Sequence, residues 1–124
     1  MPTVANASAA ELIEMLYGRA IRDLEGAVEL FALQGEPRSQ ADAIHLIVHA
    51  QQIVAELNHS LNLKDGGVLA SNLARLYEYI QFRLTEAVSK RDVGPVVEVS
   101  KLLSDLREAW KGAALNLATT EERS

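Results

Sequence analysis

The stretch "GGVLASNLARLYEYIQFRLTEA", residues 66–87, decides the fold. It opens on a glycine pair and continues as a run of strong helix formers with no internal proline or glycine. When successive residues are placed about 100° apart, Leu69, Leu73, Leu76, Ile80 and Leu84 share one face. This is a helix with one side for a core. It also carries aromatics, Tyr79 and Phe82 among them, that the core stripe does not need.

The same pattern recurs along the chain. The clusters "GEPRS" (Gly35–Ser39), "LKDGG" (Leu63–Gly67) and "KRDVGP" (Lys90–Pro95) separate segments rich in Ala, Leu, Glu and Arg, which read as helix, helix, helix, helix. "KDGG" is too short for a phosphate-binding loop and reads as a turn admitting positive φ. Ser8 with Glu11 and Ser39 with Asp42 have capping-box spacing, Asp being the weaker partner, so helices are expected to start near both serines. The apolar arcs are Ile13, Tyr17, Ala20, Leu24, Ala27, Val28 and Phe31 in the first helix and Leu46, Ala50, Ile53, Leu57 and Leu61 in the second. Val99, Leu103, Leu106, Trp110 and Ala113 form the arc of the last. Amphipathic helices joined by short connections predict an all-α, antiparallel, up-and-down four-helix bundle. The expectation is one domain over residues 1–124, frayed at about 1–7 and 118–124.

Composition limits the function. A net charge of -5 disfavours nucleic acid and anionic membrane as partners, because either would need a basic surface. With no cysteine, disulfides and thiolate metal sites are ruled out. "MPTVANASAAE" lacks the basic and apolar regions of a signal peptide, and no apolar run reaches the ~18 residues of a membrane span, so a cytoplasmic protein is expected.

Catalytic constellations are thin. His45 and His49 share a helix face in "HLIVH", but Leu46 stands where a zinc protease needs Glu. "DAIH" (Asp42–His45) and "ELNH" (Glu56–His59) have the carboxylate-x-x-His spacing of di-iron bundles, yet both lie on one helix and no inward Glu interrupts the other arcs. A phosphotransfer histidine finds no suitable setting at His49 or His59 either. The reading is a protein that is not an enzyme and has no metal and no cofactor.

What the arcs leave out is more informative. Met15, Val48 and Phe82 lie on the far sides of their helices, and Leu12, Ile44, Tyr79 and Val97 lie on flanks or backs. Singly, such residues are ordinary on a protein surface. As a set they suggest apolar grooves between helices that receive a partner's helix.

These segments, in their order, are similar to a known family. "ELIEMLYGRAIRDLEGAVEL", then "GGVLASNLARLYEYIQFRLTEAVSKRD", then "VVEVSKLLSDLREAW" resemble the flagellar secretion chaperones of the FliS family from about Ser8 to Trp110. The most diagnostic matches are Met15-Leu16-Tyr17, the Gly66-Gly67 turn with Asn72-Leu73, Leu76-Tyr77-x-Tyr79-Ile80, and Leu106-Arg107-Glu108-Ala109-Trp110. The chain departs from the family pattern in its short segment before Ser8, which lacks a tyrosine, at Gly18-Arg19, where the family has Asp-Gly, and at Val88, where it has Asn. The resemblance implies a helical bundle that holds the disordered C-terminal segment of flagellin in the bacterial cytosol, prevents premature polymerisation and assists delivery to the flagellar export gate without ATP. In that light Leu12, Met15, Ile44, Val48, Tyr79, Phe82 and Val97 are the expected landing sites on a monomer or weak homodimer. The alternative is a bundle serving another partner or self-association.

Overall fold

In the computed structural model the backbone is described for residues 9–61 and 63–123 and the side chains for residues 10–61 and 67–111. The helices are α1 (Ala9–Phe31), α2 (Pro37–His59), α3 (Leu63–Lys90) and α4 (Val93–Arg123). The ends expected to fray, 1–7 and 118–124, lie outside the described side chains, as does Ala113. The cap expected at Ser8 lies outside the described residues.

Each junction has a local cause. After α1, Gly35 takes a φ of 89° and Glu36 is extended, and Pro37 opens α2 at a position where its missing N–H costs nothing. Ser39 is therefore inside the first turn and buried, with its hydroxyl donating to Glu36 Oε2 at 3.1 Å; the cap expected at Ser39 is displaced by the proline. Gly67, at φ 58° and ψ -137°, breaks the helical path within α3 and splits off its first turn. At the end of α3 the left-handed residue is Arg91, at φ 50°. The Asp92 N–H bonds back to the Ala87 carbonyl at 3.1 Å, which closes the helix end. Asp92 Oδ1 then accepts the Gly94 N–H at 2.9 Å and caps α4.

Short junctions force neighbouring helices to run antiparallel, and the contacts close the ring: α1 packs on α2 and α4, and α3 on the same two. The register is visible in cross-helix bonds. Gln51 and Gln81 each donate to the other's backbone carbonyl between α2 and α3, Glu98 on α4 meets Tyr79 and Arg83 on α3, and Trp110 Nε1 on α4 donates to the Ala10 carbonyl on α1. The four-helix bundle expected from periodicity is thus the observed fold.

The core is aliphatic. Leu24, Ile47, Leu57, Ile80, Leu84 and Leu103 are its largest fully buried side chains, with Val54, Val96 and Val99 beside them. Two arcs need correction. In α2 the face is centred on Ile47 and Val54, which the expected arc omitted, while Leu46 is half-buried on the flank. In α3 Leu69 is 68% exposed and Tyr77 is buried. In the first turn after the break at Gly67 it is Ala70 that takes the buried position, and Leu69 beside it stays exposed.

Candidate functional site

The side chains singled out as surplus to the core are at the surface. Met15 is 59% exposed and Phe82 62%, Leu12, Val48, Tyr79 and Val97 are also exposed, and Ile44 is half-buried. They do not form one patch. Met15, Ile44, Val48 and Val97 line separate clefts, whereas Leu12, Tyr79 and Phe82 stand on the surface outside them.

Val97 lines a cleft of about 790 Å³ at the end of the bundle where α1 meets the α3–α4 junction, with Val28, Phe31 and Val93 as its other large apolar walls. Ile44 and Val48 line a second cleft of about 410 Å³ with Ala41 on the outer side of α2. Pro37 and Arg91 belong to both clefts, so the two adjoin. Neither junction residue was legible as a site residue. Pro37 is there because it opens α2, and Arg91 because the turn to α4 places a left-handed residue at the rim. Met15 lines a third cleft of about 490 Å³ between α1 and α4, whose other walls are mostly charged.

Tyr79 is less free than its sequence position suggested. Its hydroxyl donates to Glu98 Oε2 at 2.6 Å, and Arg83 Nε bonds Glu98 Oε1 at 2.7 Å. Arg83 also reaches Glu86 at 2.7 Å, and Lys90 reaches the same carboxylate at 3.2 Å. The Tyr79 hydroxyl, followed by the Arg83 guanidinium, holds the Glu98 carboxyl below its ordinary range; Arg83 and then Lys90 do the same for Glu86. Bonding to Glu98 in turn raises the Tyr79 phenol. The ring therefore stands over the α3–α4 seam on a polar tether, one turn from the untethered Phe82.

A fourth cleft, of about 230 Å³, was missed by the sequence reading. It opens at the other end of the bundle and is walled by Ile13, Leu61, Leu69, Leu73 and Trp110. Its floor holds Tyr17 and Tyr77, whose hydroxyls hydrogen-bond each other across the diagonal of the bundle. The only sequence signal was the Gly66-Gly67 pair, which marks where α3 leaves the packed core.

Nothing described here resembles a catalytic or metal centre. Among the described residues no group of His, Cys, Asp and Glu could hold a metal ion. His49 Nδ1 pairs with Asp23 across the α1–α2 seam, which gives that histidine a structural partner. Among the described residues no helix is long and apolar enough to cross a membrane.

Comparison with known proteins gives one answer. The family described as "Flagellar protein FliS" matches residues 2–117. A protein of Salmonella typhimurium named "Flagellar secretion chaperone FliS" is 35% identical over 120 residues, which span 97% of this chain and 87% of that one. A protein of the same name from Bacillus subtilis is 31% identical over 111 residues, 90% of this chain and 79% of the relative. The "Flagellar secretion chaperone FliSB" of Pseudomonas aeruginosa is 43% identical over 67 residues, 54% of this chain and 53% of its own.

Proposed function

The chain belongs to the FliS family, a family of chaperones in flagellar export and not of enzymes, and from that premise we propose that its seam clefts hold the C-terminal segment of flagellin. In this reading the protein works in the bacterial cytosol as a monomer or weak homodimer. It covers the apolar stripe through which flagellin would polymerise, and it hands the segment to the flagellar export gate.

The observation that carries the reading is the pattern of exposure. A bundle with a complete aliphatic core still leaves Met15, Phe82, Val97 and Val48 uncovered, each on or beside a seam cleft or tethered network. An extended or helical segment laid along those seams would bury them by the helix-in-groove mode, without any rearrangement of the core. A disordered client loses conformational entropy on docking and so gives modest affinity over a large area, which suits a cargo that must be released.

Calorimetric titration with a synthetic C-terminal flagellin peptide, followed in parallel by far-UV circular dichroism, tests this. Burial of an amphipathic helix predicts a negative heat-capacity change and more helicity than the sum of the parts. A titration with neither heat nor gained helicity refutes the reading. Sedimentation of the protein alone would then show whether the same side chains serve self-association.

A further inference from the structure

The α1–α4 cleft differs from the others in being lined with charge. On α1 its wall is Met15, Gly18, Arg19, Arg22 and Glu25, spaced at helical turns with Ile21 behind; on α4 it is Ser104, Arg107 and Glu108. Arg107 crosses from α4 to lie over Gly18 of α1. A Cβ built on Gly18 would lie 3.5 Å from Cζ and Nη2 of Arg107 and 3.7 Å from Nη1, so the guanidinium rests against the bare backbone of α1.

Held there, Arg107 is short of partners. Its Nε is buried and has no hydrogen bond. Its nearest carboxylate oxygen, Glu14 Oε1, is 3.7 Å from Nη2, beyond hydrogen-bond reach, and the same oxygen is 3.5 Å from Lys111 Nζ. The side chain nevertheless remains 37% exposed and lines the cleft. Among the described residues no ion pair joins Arg19 or Arg22 to a carboxylate, and none joins Glu25 or Glu108 to a cation. A guanidinium presents planar donors suited to a close, bidentate carboxylate, and the long Glu14 contact, shared with Lys111, leaves those donors incompletely used.

We propose that Arg107, seated on Gly18 and flanked by Arg19 and Arg22, is a carboxylate-binding subsite for an acidic side chain of the docked flagellin segment, with Met15 taking the apolar residue one turn away. This rests on the reading of the clefts given above and adds the chemistry of one of them. The unpaired Glu25 and Glu108 at the rim make the subsite selective for a helix that carries an acid toward Arg107 and no second acid beside those carboxylates. The remaining seams, lined by Val97, Ile44 and Val48, take apolar anchors; this one reads charge and sets the register of the segment.

The test uses the full chain, a synthetic C-terminal flagellin peptide, and a copy of it with every Asp and Glu replaced by Asn and Gln. The parent protein is expected to bind the acidic peptide about tenfold or more tightly than the amide copy, as loss of a charged hydrogen-bond partner requires. Two variants remove the subsite by different means. Arg107→Gln deletes the guanidinium, and Gly18→Asp places an internal carboxylate against it, in a space that accepts a Cβ at ordinary contact distance. In both, the difference between the two peptides should shrink to about twofold or less, and Gly18→Asp should raise the melting temperature because Arg107 gains a carboxylate closer than Glu14. If the parent binds both peptides equally, or if both variants keep the full difference, the subsite does not exist while the docking reading stands. If neither peptide binds the parent, the docking reading fails and the subsite with it.

Discussion

Tyr17 and Tyr77 offer a sharp test of the architecture, because each hydroxyl has the other as its partner across the bundle diagonal. Both residues are buried, so a single Tyr→Phe change leaves the remaining hydroxyl without its bond in a nearly closed site. Stranding a buried hydroxyl costs about 1–3 kcal/mol, and the cleft above the pair, through which water can approach, favours the lower half of that range. For a domain of this size each kcal/mol corresponds to roughly 3–5 °C in melting temperature. The double variant Tyr17→Phe/Tyr77→Phe removes both polar groups and should be more stable than the sum of the single changes by about 1–3 kcal/mol. Burial pushes both phenols up from their ordinary value. A raised folded pKa means that the unfolded chain loses these protons first. Their stabilisation is therefore complete below about pH 10, the unfolded phenol value, and is lost as the pH rises above it. Urea titrations by circular dichroism at pH 7, and in steps to pH 11, measure both effects. Additive single losses, or an alkaline decline equally steep in the double phenylalanine variant, would refute the paired geometry.

Leu103→Ala, at a fully buried position on α4, should cost about 2–5 kcal/mol by leaving a cavity, read as a lower urea midpoint with an unchanged slope. Phe82→Asp should leave the melting temperature within a few degrees of the parent, since the ring is largely exposed, while weakening flagellin-peptide binding by about 2 kcal/mol, roughly thirtyfold; unchanged binding would remove Phe82 from the docking surface. Arg91→Gly should stabilise the free protein by about 1 kcal/mol, because glycine takes the left-handed backbone of the α3–α4 junction without the Cβ penalty. A loss of stability there would mean that the Arg91 side chain contributes more than its backbone costs.

The fold was legible because its signals are local and repeated. Apolar residues at helical spacing and Gly/Pro clusters between them define the helices and force the up-and-down order. Where the reading slipped, the deciding information was not local. Leu46 and Ile47 are equally apolar, and it is packing between helices that buries Ile47 fully and sets Leu46 on the flank against Gly26 of α1, where an added Cβ would meet it at 3.0 Å. Leu69 keeps the phase of the α3 stripe, yet just after Gly67 the buried position falls to Ala70 instead. Among the candidate site residues, exposure was readable from the wheel for Met15, Val48, Phe82 and Val97. The tether on Tyr79 was not, because Glu98 lies on the next helix. Nor was the loosely paired Arg107, whose neighbours Glu14 and Gly18 lie on another helix.

The separation of the clefts bears on how the proposed client could be both held and released. At about 230 to 790 Å³, each cleft accommodates one or a few side chains and not a whole helix face. A fully buried aliphatic anchor contributes roughly 1.5–3 kcal/mol, and ordering the residue that carries it costs roughly 1–2 kcal/mol of backbone entropy plus its rotamer freedom. Each site taken alone is then nearly neutral, and a segment filling only one or two of them would dissociate readily. Affinity accumulates only when successive anchors engage in register, because the chain between filled sites acts as a short linker that raises the effective concentration of the next anchor. Release can run the same path in reverse, one cleft at a time, with no step in which the whole contact must be broken at once. This reasoning predicts that Val97→Asp and Met15→Asp, which line different clefts with no wall in common, each raise the dissociation rate much more than they lower the association rate, and that their effects on binding free energy add within about 0.5 kcal/mol. Stopped-flow kinetics on the two single variants and the double measures this directly. A loss confined to the association rate, or a double variant no weaker than either single one, would mean that the segment docks as one rigid unit and not anchor by anchor.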